Sequence, residues 1–233
     1  MINTSMPDSA DIVGKTVSRS QMEVLIKNST KPLVFELCNF EGIDLSRLNM
    51  DGFEFKSCTF MGTSLYAASM SQTIWLRCRG SYANFEAADL VDAQFQNCDF
   101  SNTTWRRTQL SSALYKGCKL TGASFEEVEH LGLSFEETLL VAADLRRMSF
   151  RKMLLQQIDF SDADLSGCDF RDAIFMGGSL RNAHTKLARF GGADLREVDV
   201  GGLKLLDTTL FRGATISHKQ AAVLLGELGL CIA

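Results

Sequence analysis

The stretch Ser161-Asp162-Ala163-Asp164-Leu165-Ser166-Gly167-Cys168-Asp169-Phe170-Arg171-Asp172-Ala173-Ile174-Phe175 repeats its character every five residues. Large apolar residues fall at Leu165, Phe170 and Phe175, and small ones two places earlier, at Ala163, Cys168 and Ala173. The same register runs outward both ways. From Phe35 to Leu210, 36 positions in steps of five carry large apolar side chains, with three exceptions, Gly80, His130 and Thr185. No charged residue enters this column or the small column that precedes it, where Cys38, Thr63, Ala68, Ala83, Ala93 and Ala193 stand. A period of five belongs neither to a helix nor to an ordinary strand. A fixed period implies a repeat architecture, in which each unit buries its apolar face only against its neighbours.

A second period shows how the fives close. Cys38, Cys58, Cys78, Cys98 and Cys118 recur at every fourth five, so four fives make one turn. Charges follow the same interval: Glu86, then Arg106-Arg107, Glu126-Glu127 and Arg146-Arg147. Coils stacked about 4.8 Å apart would set these opposite charges facing one another along a ladder. The expected fold is an all-β square solenoid of about nine coils. Asp or Asn before the central residue, as at Asn39, Asp44, Asn49, Asn84 and Asp159, would tie the turns by bonding nearby backbone.

Composition narrows the function classes. The chain has 233 residues and a formal net charge of −4, so it carries no basic footprint for nucleic acid. It has no apolar run long enough for a membrane span and no signal-peptide pattern at Met1. Seven Cys without CxxC pairs suggest reduced thiols, and the expected location is the cytoplasm. Both prolines, Pro7 and Pro32, precede the rod, where they cost no ladder donor.

The ends divide the chain into a tail and capping helix over residues 1–32, a repeat rod over 33–214 and a helix with a tail over 215–233. Residues 1–16 show no pattern and are expected to be mobile. A short helix follows, over 18–28, with two competing starts: Ser18 boxed by Gln21, or Ser20 boxed by Glu23. Val17 and Met22 would staple the first, which favours Ser18. A solenoid end exposes core and unpaired backbone, so a cap is required there. Near the other end Ser217 and Gln220 form a second capping box. Ala221, Leu224, Leu225 and Leu228 then make an apolar stripe, and Gly229 a stop.

The unit Ala-Asp-Leu-X-X, clearest at 163–167 and 193–197, resembles the pentapeptide-repeat family over about residues 33–214. That resemblance implies a right-handed quadrilateral β-helix. The ending Gln220-Ala-Ala-Val-Leu-Leu-Gly-Glu-Leu-Gly-Leu-Cys-Ile-Ala233, with Arg77-Cys78-Arg79-Gly80-Ser81-Tyr82-Ala83-Asn84-Phe85, is similar to the gyrase-protection branch of Qnr, MfpA and the albicidin-resistance homologue. With no insertion to make a loop, the chain is nearer the MfpA type. The resemblance implies a homodimer through Ala221, Leu224, Leu225 and Leu228. It also implies a DNA mimic that binds DNA gyrase, with topoisomerase IV a further candidate, and shields it from quinolones or a related poison. Neither nucleic acid nor membrane is an expected partner.

Asp51, Asp89, Asp92 and Glu129 share one face with no Lys or Arg until Arg151, the best phosphate-like row in the chain. Ile74, Leu114, Leu154 and Ile174, joined by Val34, form an apolar row where Asp or Asn is usual, a candidate contact surface. The Cys ladder has parallel side chains and no His at ligand spacing, which suits inert packing rather than a disulfide or a metal. His130 lacks an evident nucleophile or pocket, so no catalytic residue, metal or cofactor is expected. Gly80, His130 and Thr185, and the consecutive large residues Met148, Met153 and Ile158 in the small column, are expected to loosen the rod locally. The rival readings are a general protein-interaction scaffold or effector with no topoisomerase role, and a β-helix enzyme acting on polysaccharide. The narrow regular rod offers the enzyme no cleft.

Overall fold

The structure is a computed structural model and describes residues 11–203, 208–227 and 229–230. Every fifth residue points into the axis of a parallel solenoid. One face carries a nine-stranded parallel sheet in sequence order: β1 Asp11–Val13, β2 Val34–Glu36, β3 Glu54–Lys56, β4 Ile74–Leu76, β5 Gln94–Gln96, β6 Leu114–Lys116, β7 Ser134–Glu136, β8 Leu154–Gln156 and β9 Ile174–Met176. On the other three faces single-residue parallel bridges take over, as in Asn39↔Thr59, Asp44↔Ser64 and Asn49↔Ser69. Each residue pairs with the one four fives further along, which makes four fives per coil.

The corners explain how a chain turns every fifth residue without proline. From Leu37 to Gly192 the second residue after each central one adopts positive φ, by glycine at Gly42, Gly52 and Gly62 and by ordinary residues at Leu37, Arg47 and Ser57. A left-handed residue costs about 1–2 kcal/mol when it carries a side chain. The corner is held by bonds in the ladder, such as Leu37 N–H to Lys56 O at 2.9 Å. Asp and Asn add the expected ties: Asn49 Oδ1 accepts from Asp51 N–H at 3.0 Å, and Asn84 Oδ1 from Glu86 N–H at 2.8 Å.

Inside, the large column forms stacked rings. Phe95 and Tyr115 stack at 4.5 Å, Phe85 and Trp105 at 4.1 Å, and Phe150 and Phe170 at 4.9 Å. Burying each such side chain contributes on the order of 1.5–3 kcal/mol. Small residues at the neighbouring column leave room for these rings. The Cys ladder lies in the core: Cys38, Cys58, Cys78, Cys98 and Cys118 are buried and unbridged. Each thiol donates to a backbone carbonyl, as Cys78 does to Phe55 O at 3.2 Å. Burial pushes Cys78 and Cys168 up to about 12.

Helix α1 spans Arg19–Asn28, capped by Ser18 with the Gln21 box complete, and Val17 and Met22 are both buried. Residues 1–10 lie outside the described residues, but residues 11–16 do not behave as an unpatterned tail. Residues 11–13 pair with β2, and Thr16 pairs with Asn39, so Ile12 and Val17 continue the inward column across the helix. The step from Ile12 to its partner Phe35 is not a whole number of fives, which hid the period. Helix α1 therefore completes a coil. Arg19 anchors it by donating to Asp44 O at 2.9 Å.

At the far end the register slips. Phe170 stacks on Phe190, four fives on, but Phe190 stacks on Phe211 at 4.6 Å, and Asp194 bridges Thr215. One extra residue enters the last coil beside the 3₁₀ helix Thr208–Phe211, so Phe211 takes the inward place expected of Leu210. Leu205 lies outside the described residues. Helix α2, His218–Glu227, then closes the rod. Gln220 Nε2 donates to the carbonyls of Leu195 and Val198, satisfying backbone at the rod end. Gly229 has φ +80, and Leu230 N–H reaches Leu225 O at 3.0 Å, a glycine stop with orphan carbonyls satisfied.

The three exceptions in the large column do not act alike. Gly80 is a point of tight packing: a Cβ there would lie 2.2 Å from the Phe100 ring, so the neighbouring ring fills the missing side chain's space. Thr185 is half-buried, and its carbonyl accepts from Ala188 N–H at 3.0 Å. At His130 the wall does open. Ladder bonds from Glu127, His130 and Gly132 to the next coil are missing, and β7 pairs with β8 only at Glu136↔Gln156. The coil after the opening carries Met148, Met153 and Ile158 where Ala or Cys is usual. The missing ladder bonds fall between the coil that holds His130 and the coil that carries these larger inward side chains.

Candidate binding surfaces

The acidic row is one surface. Bridges Asn49↔Ser69, Ser69↔Asp89, Asp89↔Gln109 and Gln109↔Glu129 place Asp51, Asp89, Asp92 and Glu129 on a single face across five coils. No Lys or Arg stands on the five-residue segments of that face between Leu48 and Gly132. Two of the carboxylates also hold turns. Asp51 Oδ1 accepts from Ser69 Oγ at 2.7 Å and Ser71 N–H at 2.9 Å, and Asp89 Oδ1 from Ser71 Oγ at 2.8 Å and Val91 N–H at 3.1 Å. Asp92 and Glu129 are exposed.

The Glu/Arg ladder runs along the neighbouring corner rather than across this face. Arg106 lies within 3.8, 3.5 and 3.9 Å of Glu86, Glu126 and Glu127, and Arg107 within 3.6 Å of Glu86 and Glu127. The two arginines are thus flanked by three carboxylates and add little positive field to the acidic row. Beyond the opening at His130 the face changes sign, with Arg151, Lys152, Arg171 and Arg189 among Asp169 and Asp172.

The apolar row lies on the sheet face. Ile74↔Gln94, Gln94↔Leu114 and Leu114↔Ser134 pair in one column, and Leu154↔Ile174 continue it. Ile74 and Leu114 are half-buried, whereas Leu154 and Ile174 are 54% and 48% exposed. Val34 is half-buried at the start of the column. Met176, 43% exposed, widens the apolar end. It was not legible as a contact residue because its neighbours at that register position are Lys56, Leu76, Gln96, Lys116, Glu136 and Gln156.

The C-terminal stripe divides. Leu224 is buried in the core of its own rod, Ala221 is half-buried and Leu225 is 38% exposed; Leu228 lies outside the described residues. Val223 and Leu230 are exposed beside Leu225. The helix therefore turns one side to the rod and leaves a different apolar edge outside.

His130 is half-buried with both ring nitrogens engaged. Nδ1 lies 3.2 Å from Val128 O, and Nε2 accepts from Ser149 N–H at 3.1 Å. Among the described residues no His, Cys, Asp and Glu group has metal-site geometry, and no helix is long and apolar enough to cross a membrane.

This four-per-coil solenoid, with its parallel ladder and buried pentad columns, defines the class of pentapeptide-repeat proteins. Family models describing a pentapeptide repeat region and pentapeptide repeats match residues 48–125 and 143–182, together about half of the chain. The chain belongs to the pentapeptide-repeat family. Among solved structures it is similar to full-length QnrB1, described as a plasmid-mediated fluoroquinolone resistance protein. That match has a TM-score of 0.68 and 22% identity over 82% of this chain and 97% of the other. A trypsin-treated variant of QnrB1 gives a TM-score of 0.59 and 22% identity over 97% of this chain and 98% of the other. No curated protein sequence matches the chain.

Proposed function

We propose that this protein is a non-enzymatic DNA mimic that binds a type II topoisomerase, DNA gyrase first, and protects it from a quinolone or a related poison. The observation that carries this reading is the acidic face. Asp51, Asp89, Asp92 and Glu129 extend along five coils without an intervening cation on that face. A rod of this kind presents negative charge on a stiff scaffold, as a duplex does. The likeness to QnrB1, a fluoroquinolone resistance protein, supports the same partner class. Nine coils at about 4.8 Å give roughly 43 Å of rod. A homodimer joined through the outer edge of α2 would double that to about 86 Å, on the order of 25 base pairs at about 3.4 Å each.

The test is gyrase supercoiling with a quinolone, with and without the protein. Titrated protein should restore supercoiling and, in excess, inhibit it. Failure to do either with a cognate gyrase, together with no binding at low salt, would remove the topoisomerase from the account. A second reading, a protein-interaction scaffold, is favoured by Leu154, Ile174 and Met176 exposed together on the sheet face. Under that reading, Ile174→Lys would abolish partner capture while acid-to-amide changes on the other face would not.

A further inference from the structure

The corner ladder alternates in sign every coil: Glu86, Arg106-Arg107, Glu126-Glu127, Arg146-Arg147. The next coil should bring an acid, but it brings Ser166-Gly167, and the coil after that brings Lys186-Leu187. Two cationic steps therefore flank a step with no anion. Neither Arg147 nor Lys186 makes an ion pair among the described residues, whereas Arg146 is held by Asp144 at 2.6 Å and approached by Asp164 at 3.8 Å. Glu126 and Glu127 also face this region, but both lean back toward Arg106 and Arg107, at 3.5 and 3.6 Å.

The missing anion coincides with the opening in the wall. A cavity of about 380 Å³ lies there, lined by Arg146, Arg147, Lys186, Ser166 and Gly167, by Glu126 and Glu127, and by the apolar Phe125, Val128 and Met148. Leu187, 67% exposed, adds an apolar lip. The Glu127 N–H, which at equivalent corners bonds to the following coil, has no such bond here. Gly167 keeps the corner bare: a Cβ there would already meet Arg147 Cγ at 3.4 Å. The step thus combines two cations without an ion pair among the described residues, a hydroxyl, an unused amide donor and apolar lining residues.

We propose that this step is a binding site for a small organic anion with a flat apolar body, whose carboxylate completes the charge ladder between Arg147 and Lys186. The ring system would lie over Phe125 and Met148 in the opening. The site adjoins the end of the acidic face at Val128 and His130, and its occupancy does not depend on any topoisomerase.

Calorimetric titration of the full chain with naphthalene-2-carboxylate, against the isosteric neutral naphthalene-2-carboxamide, tests this. The carboxylate should bind saturably with one site per chain, and the carboxamide at least tenfold more weakly. Arg147→Ala with Lys186→Ala should cost the carboxylate a similar factor. Ser166→Glu supplies the missing acid from the chain itself, so it should abolish carboxylate binding while raising the melting temperature. That rise separates a filled site from an unfolded one. Equal binding of both probes, equal binding by the parent and Ser166→Glu, or no saturable binding into the millimolar range would each overturn the proposal.

Discussion

At the residue scale, the inward columns are the most exacting feature of this chain. Ala93 and Ala173 are fully buried, so Asp at either would bury a charge with no partner and cost several kcal/mol, about 3–5. Gln94→Asp, one residue along and exposed, should leave the melting temperature nearly unchanged. Equal losses at both would be incompatible with the column assignment. Tyr115 is the reverse case. Its ring stacks between Phe95 and Phe135, its buried hydroxyl has no hydrogen-bond partner among the described residues, and burial raises its pKa well above the ordinary value. Removing an unsatisfied buried hydroxyl without changing the ring's shape should help, so Tyr115→Phe should stabilise the fold by about 1 kcal/mol in denaturant melts. The columns, the Cys ladder and the Ser18 and Ser217 boxes were legible because each depends on local spacing alone. Gly80 was misread for the converse reason: what fills its place is Phe100, a full coil away, and no local pattern reports that.

Elements show where a fixed period stops being informative. Helix α1 replaces the third and fourth sides of a coil, and β1 before it was hidden because the step from Ile12 to Phe35 breaks the count of fives. The extra residue before Phe211 was hidden because Leu210 is as apolar as the ring that displaces it. The wall opening was foreshadowed by His130 and by Met148, Met153 and Ile158, but only the structure shows that the ladder parts between them. Helix α2 also changes how dimerisation should be tested. With Leu224 in the core, Leu224→Asp should unfold the cap rather than free a monomer. Val223→Asp with Leu225→Asp, on the exposed edge, should give a folded monomer by light scattering if this edge makes the dimer; an unchanged mass would place the interface elsewhere. The charge network has its own signature. Asp169, nearly buried, accepts from Arg171 at 2.8 and 2.6 Å and from Arg189 at 3.1 Å, and the Arg171 hydrogen bonds hold its carboxyl below the ordinary value. A lowered folded-state pKa stabilises the fold above the ordinary range near 4, and that contribution is lost as pH falls through the folded value. Asp169→Asn should therefore melt lower than the parent near neutral pH, with the difference shrinking as pH falls below about 4.

For the whole molecule, the proposed role is that of a protein rod taking the place of DNA on a topoisomerase. Two observations bear on it: the length of the solenoid and the acidic face kept clear of the arginine ladder. Because Asp51 and Asp89 also hold turns, reversal to Lys would confound charge with folding. Asp51→Asn, Asp89→Asn and Asp92→Asn together remove charge while keeping oxygen acceptors at the turns. The most direct measurement is displacement of a fluorescent DNA duplex from gyrase by the purified protein at low and at physiological salt. The parent should displace the duplex in proportion to its concentration, more weakly as salt rises, and the triple Asn variant should need at least tenfold more protein while melting as the parent does. Binding to gyrase without displacing DNA, or displacement undiminished in the triple variant, would contradict the mimic.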